Sequence, residues 1–407
     1  MPDKRAETAA VLVLVGAGSK YETKENNGIS HFLEHMFFKG TKRRPTTLKI
    51  AETLDKVGGA YNAFTSKEYT GYWAKVSSDH LPLALDWVAD IFLNSKIEAQ
   101  EVEREKGVII GELDMYLDTP TRYIEDLWEE LLYGDQPAGW QTIGTKKNIL
   151  SFQRYHFIDY LKKHYSAKNT VICLAGNLKS IPNAKSEIES LFNRINRRTP
   201  ENRKKVREKQ NAPRALVHFK ETDQTHIALG VRGYDIFSPE KYTQNLLAVI
   251  LGGNMSSRLF ISVRERAGLG YYIRTSAELY TDSGYLVTQT GVSHRDLEKA
   301  IKLILKEYRN IKDKKISADE LKKAKDYLKG SLLLGLESSD AKASFYGMQE
   351  LLTGKILTIK EKFKIIDKVT PTDIQKAAQE LFQPHRLNLA LIGPHKDKKA
   401  LTRLLRI

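Results

Sequence analysis

Apolar residues recur along this chain in two ways. Short continuous runs stand before glycines: Ala9-Ala-Val-Leu-Val-Leu-Val15 ends at Gly16-Ala-Gly18, and Val171-Ile-Cys-Leu-Ala175 ends at Gly176. Runs of this length, closed by turn residues, predict buried strands. Longer stretches repeat apolar residues with the helical period. His80 to Phe92, Asp296 to Arg309 and Ala318 to Leu334 are examples, and each predicts an amphipathic helix. Strands alternating with long amphipathic helices imply an α+β fold, with helices packed on one face of a mainly antiparallel sheet.

The pattern occurs twice. Val11-Leu-Val-Leu-Val-Gly16 matches Ala228-Leu-Gly-Val-Arg-Gly233 at an offset of 217 residues, and Ile172 to Gly176 matches Leu389 to Gly393 at the same offset. Between the copies, Arg197 to Pro213 is polar, strongly basic and punctuated by prolines, which reads as an exposed linker. The expected organisation is a domain at 1–196, a linker at 197–213 and a second domain at 214–407. The two domains read as diverged duplicates.

Composition narrows the class. With 407 residues, 41% of them hydrophobic and 28% charged, the chain can bury a core in each half. No apolar run approaches the ~20 residues that span a bilayer, so no membrane partner is expected. The run at Ala9, which follows Lys4 and Arg5, imitates a signal peptide but leads directly into the segment below, and is better read as a strand. The net charge of +15 is spread along helices with no nucleic-acid module. It reads as solvated surface, and nucleic acid is not an expected partner. The single cysteine, Cys173, excludes an intrachain disulfide and a cysteine-built metal site. It lies in an apolar run and reads as a core residue rather than a nucleophile.

The chemistry is concentrated at His31-Phe-Leu-Glu34-His35. Imidazoles at i and i+4 share one helix face and can reach one metal ion, with Glu34 beside them. H-x-x-E-H is the inverzincin order of the zinc-peptidase helix. A catalytic zinc takes three protein ligands and keeps a place for water. The third ligand is sought in Glu101 to Asp114, where Glu105 and Glu112 lie two helical turns apart on one face. One of the two carboxylates can bind metal and the other can orient a ligand.

Further motifs follow in order: Gly58-Gly-Ala-Tyr-Asn62-Ala63-Phe64-Thr65-Ser66, His164-Tyr-Ser-Ala-Lys-Asn169 with Gly176-Asn177, Ser257-Arg-Leu-Phe260, and Arg264-Glu265 with Gly268-Leu269 and Tyr271. Together with HFLEHMFFKGT they resemble peptidase family M16, the family of pitrilysin, insulin-degrading enzyme and mitochondrial processing peptidase. In size and layout the chain is similar to the two-domain bacterial processing-peptidase-like members. The resemblance implies two homologous ferredoxin-like α/β domains, the first carrying one zinc ion per chain. It makes His31, His35 and Glu112 the ligands, Glu34 the general base and Glu105 the carboxylate behind the ligands. Asn62, Ala63 and Phe64 would lie on an edge strand that pairs with substrate, and Arg264 and Tyr271 would steady substrate and oxyanion.

By the same resemblance the protein is expected to be a zinc metalloendopeptidase that cuts peptides or unfolded chains inside a dimer-formed chamber. Arg264 and Tyr271 would be supplied by a second subunit. A homodimer suffices, because one chain holds both motifs; a heterodimer with a metal-free partner is the other assembly, and the alternative function is a non-catalytic or regulatory subunit of an M16-type heterodimer. A bacterial cytoplasmic location is expected. Two departures stand out. Family members begin with a strand and turn ahead of the one at Val11, whereas this sequence begins at Met1-Pro2-Asp3 just before it; either the native start lies further upstream or the first sheet lacks that edge strand. Trp140 and Gln141 replace residues that are usually basic and apolar, and are expected to alter a chamber wall. At the offset of 217, Ala248, Gly252 and Lys329 occupy the positions of His31, His35 and Glu112, so the second half is expected to lack the metal site.

Overall fold

The computed structural model describes residues 1–407. The first half runs β1 (Thr8–Val15), α1 (Ile29–Met36), α2 (Thr47–Asp55), β2 (Ala60–Thr65), β3 (Thr70–Ser77) and α3 (Leu81–Asn94). It continues with α4 (Ala99–Leu117), α5 (Pro120–Tyr133), α6 (Lys146–Ser151), α7 (Arg154–His164), β4 (Thr170–Gly176) and α8 (Ala184–Leu191). The second half begins with β5 (Arg214–Phe219), β6 (Thr225–Arg232), α9 (Lys241–Gly252), β7 (Gly270–Leu279), β8 (Gly284–Val292) and α10 (Leu297–Asp313). It ends with α11 (Ala318–Leu334), α12 (Ser339–Thr353), α13 (Ile359–Lys368), α14 (Pro371–Leu381), β9 (Asn388–Gly393) and α15 (Lys398–Leu404). The fold is α+β, and the strands and helices expected from the apolar pattern are present.

The duplication holds through most elements. At the offset of 217 residues, Thr8 and Val15, which bound β1, fall on Thr225 and Arg232, which bound β6. Arg154 and His164, the ends of α7, fall on Pro371 and Leu381, the ends of α14. Helices α3, α4, α5, α6 and α8 correspond to α10, α11, α12, α13 and α15 with ends shifted by a few residues, α1 corresponds to a longer α9, and α2 has no α-helical counterpart.

Two compact units result, and they are interleaved in sequence. The first comprises 1–114, 140–204 and 333–357; the second comprises 115–139, 205–332 and 358–407. The main division falls between Lys204 and Lys205, inside the basic segment. Each unit also takes one piece of the other half. The basic segment has no regular structure and is largely exposed, but it is tied down. Arg203 pairs with Glu68 at 3.2 Å in the first unit. In the second, the Val206 N–H donates to Asp282 at 2.9 Å and Gln210 Nε2 donates to the Leu387 carbonyl at 3.2 Å.

The sheet of the first unit has the order β2-β3-β1-β4, antiparallel throughout. Helix α3 packs against β1 and β3. The other face is covered by α12, where Ala343, Met348 and Leu351 meet Leu12, Leu14 and Ala175. Both faces of β1 are therefore buried, which is why its apolar residues run continuously instead of alternating. Cys173 lies in the same cluster, and burial pushes its thiol pKa up, as suits a packing residue.

The second unit has the order β5-β9-β6-β8-β7, with β5 parallel to β9 and the remaining pairs antiparallel. Here α5 covers one face, setting Ile124, Leu127, Trp128 and Leu131 against Ala228, Val287, Ala390 and Ile392. The main core, around Leu229, Leu247, Ile301 and Phe382, fills the other. The ladder between β5 and β9 has only a vestige in the first unit. Phe219 pairs with Gly393, and at the same offset Pro2 forms a lone parallel bridge to Gly176, beside a hydrogen bond from the Asp3 N–H to the Gly176 carbonyl at 2.8 Å. Beyond that bridge the Met1 ammonium donates to the Leu174 carbonyl at 2.6 Å, and no strand pairs with the outer side of β4.

Candidate metal centre

Helix α1 carries the centre, and its start is built for it. Gly28 caps the helix at φ 100°, and a Cβ there would lie 2.6 Å from the Ile143 carbonyl oxygen. Only glycine satisfies both constraints. The buried Glu22 carboxylate accepts from the N–H groups of Gly28 and Ser30, both at 2.8 Å, and from Asn27 Nδ2 at 2.9 Å. Burial raises its pKa and these bonds oppose the rise. A carboxylate here satisfies orphan donors at the positive end of the helix dipole.

Residue spacing then gives α1 two faces. Ile29, Phe32, Leu33 and Met36 are buried. Phe32 packs edge-on to Phe157, with ring centroids 4.9 Å apart. Just past the helix, Phe37 stacks on Tyr72 of β3 at 4.6 Å. The opposite face carries His31, Glu34 and His35. It is held rigid from behind by those aromatic contacts.

The structure brings the metal-ligand candidates together. Donor atoms of His31, His35 and Glu112 all lie within 4.8 Å of one another. His31 Nε2 is 3.6 Å from one Glu112 oxygen and His35 Nε2 is 3.4 Å from the other. Glu112 reaches them from α4. One heptad earlier on α4, Glu105 Oε1 lies 2.9 Å from His35 Nδ1. Its other oxygen lies 2.5 Å from Lys39 Nζ. On the far side, Thr65 Oγ1 donates to Glu34 Oε2 at 2.5 Å.

The electrostatics follow from the packing. Burial opposes charge on His35, yet its hydrogen bonds to Glu105 and Glu112 push its pKa up to about 9. Bonds from His31 and then His35 hold the Glu112 carboxyl far below its usual range. Burial alone would raise Glu105, but His35 and Lys39 outweigh it and lower it. Burial also raises Glu34, and Thr65 opposes that rise. Carboxylates crowded round two imidazoles favour positive charge at their centre. Two imidazole nitrogens and one carboxylate oxygen form a catalytic-type zinc donor set, with a second carboxylate, Glu105, orienting a ligand imidazole. The residues present fit the ion.

The remaining candidates fall in two places. Asn62, Ala63 and Phe64 lie on β2, which is an edge of the first sheet and packs beside α1. Arg264 and Tyr271 belong to the second unit. There the Arg264 guanidinium lies 4.6 Å from the centre of the Phe260 ring and 5.6 Å from that of Tyr271. Tyr271 is 82% exposed, at the start of β7. Trp140 and Gln141 take part through their backbones: Lys67 Nζ donates to the Trp140 carbonyl at 2.5 Å, and Asn27 Nδ2 to that of Gln141 at 3.0 Å. Those contacts do not depend on which side chains stand there. The sequence reading did not single out Glu22, Lys39 or Thr65. Lys39 and Thr65 sit inside the quoted motifs, but only the fold reveals their partners.

Residues 2–146 match the family described as Insulinase (Peptidase family M16), and residues 151–328 match Peptidase M16 inactive domain. A Bacillus subtilis protein named uncharacterized zinc protease YmxG is 37% identical over 387 residues, covering 95% of this chain and 93% of its own. The chain belongs to peptidase family M16. A second M16 relative, uncharacterized zinc protease Rv2782c of Mycobacterium tuberculosis, is 33% identical over 98% of this chain and 91% of its own. Among solved structures, a protease from Helicobacter pylori superposes with a TM-score of 0.89 at 21% identity, covering 97% of this chain and 96% of that one. The structure described as a peptidase M16 inactive domain from Pseudomonas fluorescens gives 0.88 at 18%, covering 97% and 95%. These two share the M16 fold. The description of residues 151–328 as an inactive domain agrees with Ala248 and Gly252 standing where the first half has His31 and His35. No helix of this M16 chain is long and apolar enough to cross a membrane.

Proposed function

We propose that this chain is a zinc metalloendopeptidase acting on peptides or unfolded polypeptides, with one zinc held by His31, His35 and Glu112. The convergence of those three side chains within 4.8 Å, with Glu34 beside them on the same helix face, carries the reading. Zinc relatives named as proteases over nearly the full chain support it. When bound, zinc polarises the scissile carbonyl and acidifies the attacking water.

The chain's own residues do the rest. Glu34, fixed by Thr65, takes the proton of the attacking water and returns it to the leaving amine. Glu105 keeps His35 turned toward the centre. Substrate adds as a strand along β2, where backbone groups of Asn62, Ala63 and Phe64 tolerate many sequences. Tyr271 and Arg264 donate to the oxyanion. They come from a second subunit across a closed chamber that admits extended chains. A homodimer is the economical assembly, since one chain carries both sets. The single cysteine and the lack of any apolar span suit a bacterial cytoplasmic enzyme.

The test compares wild type with Glu34→Gln on an unstructured fluorogenic peptide, with zinc quantified in both. Chelator-sensitive cleavage by wild type, and a zinc-loaded but inactive variant, is the expected result. Zinc-loaded wild type without activity would move the reading to an obligate heterodimer. Neither zinc nor cleavage would make the chain a non-catalytic subunit.

A further inference from the structure

We infer that Lys39 is a positioning residue of the metal centre, acting through the buried Glu105 carboxylate on the ring of His35. The inference rests on the zinc reading above. Lys39 lies one turn beyond His35, where the chain still winds: its N–H donates to the Met36 carbonyl at 3.2 Å. Its ammonium therefore points back along the metal-facing side. Nζ is 2.5 Å from Glu105 Oε2, and Glu105 Oε1 is 2.9 Å from His35 Nδ1. Glu105 is only 2% exposed.

A carboxylate this deep needs a partner for each oxygen. His35 supplies one and Lys39 the other. With both in place the carboxylate cannot rotate. The His35 ring, bonded at Nδ1, then holds Nε2 toward Glu112. Without Lys39, Oε2 loses its charged partner. The carboxylate is free to turn toward water or another donor, and the orientation of His35 goes with it.

The second half of the chain provides an internal control. At the offset of 217, Lys39 corresponds to Ser256 and Glu105 to Lys322. Lys322 pairs there with Asp326 on its own helix, and Ser256 accepts from Lys323. The fold has been kept in both halves. The Lys39–Glu105 pair is present only where His31, His35 and Glu112 are present. A pair required merely to hold this fold together would have been expected in both.

The measurement is zinc affinity, by competition with a chromogenic chelator, alongside thermal unfolding of the chelator-stripped protein. Lys39→Met should weaken zinc binding by roughly 10- to 100-fold, the usual effect of losing a partner behind a ligand. Lys39→Arg should recover most of it. In a Glu105→Gln background, Lys39→Met should cost little more, because the partner through which it acts is already altered. Unchanged zinc affinity in Lys39→Met, with a lower unfolding midpoint, would reduce the pair to a stabilising contact and overturn the inference. Should Lys39→Met not fold, Lys39→Gln is measured in its place. Wild type that binds no zinc would overturn the metal reading itself. Wild type that binds zinc tightly but cleaves nothing would move the peptidase reading to an obligate heterodimer and leave the role of Lys39 standing.

Discussion

His164 closes α7 with its ring packed against Tyr160 and Tyr21, at 4.5 and 5.8 Å between centroids. Its Nδ1 is buried without a hydrogen-bond partner. Burial pulls its pKa down to about 4, from an ordinary value of 6.5. The unfolded chain therefore takes up this proton near pH 6.5, while the folded chain resists until about pH 4. The stabilisation is fully present above pH 6.5 and is lost as pH falls through that window, at most about 3 kcal/mol. His164→Phe should flatten that part of the pH profile. Unfolding midpoints from pH 8 to 4 for the two proteins check it, and parallel profiles would refute it. At this scale the spacing of His31, Glu34 and His35 was legible, because helical period alone puts them on one face. Glu105 and Glu112 were legible as a pair, but the residues alone did not say which one binds metal. Glu22 and Thr65 were not legible. Each acts through a contact with α1 that only the folded chain creates.

Sheet edges and helix faces set the behaviour of the elements. Strand β4 carries only the Pro2 bridge and the Met1 hydrogen bonds on its outer side, while its counterpart β9 is covered by β5. The Gly176 N–H donates to the Met1 carbonyl. Alternation along the strand turns the N–H groups of Leu174 and Ile172 to the same outer side. Their amides should exchange at least ten times faster than those of Leu391 and Leu389 at the equivalent positions, because opening there breaks fewer bonds. Residue-resolved hydrogen exchange tests this; equal protection would mean that β4 is covered in solution. The strands themselves were readable as continuous apolar runs. What covers their second face was not: α12 comes from more than 150 residues away in sequence, and nothing in its own period names its partner.

For the whole molecule, the repeat at 217 residues was readable from two strand matches and proves to extend through nearly every element. The interleaving was not readable, since α5 and α12 look like ordinary members of their own halves. A fragment of residues 1–213 should consequently be incomplete. It has the metal-facing residues but lacks α12, leaving Leu12, Leu14 and the partly buried Trp73 uncovered. Cys173 reports on this, because a Cβ at Gly347 of α12 would lie 3.6 Å from its Cβ. In the fragment its thiol should react readily with a disulfide reagent; in the intact chain it should react slowly. A fragment with a slow thiol and a cooperative unfolding transition would show that α12 is dispensable.

The same exchange fixes an order of events during translation. When residue 213 has been made, the half that emerged first still waits for residues 333–357. At synthesis speeds of about 5–20 residues per second, that wait lasts roughly 7–29 s. The later half finds its borrowed helix, α5, already synthesised. The part that leaves the ribosome first thus stays incomplete until residue 357, and the metal-ligand candidates sit on a scaffold whose apolar sheet face needs shelter through most of synthesis.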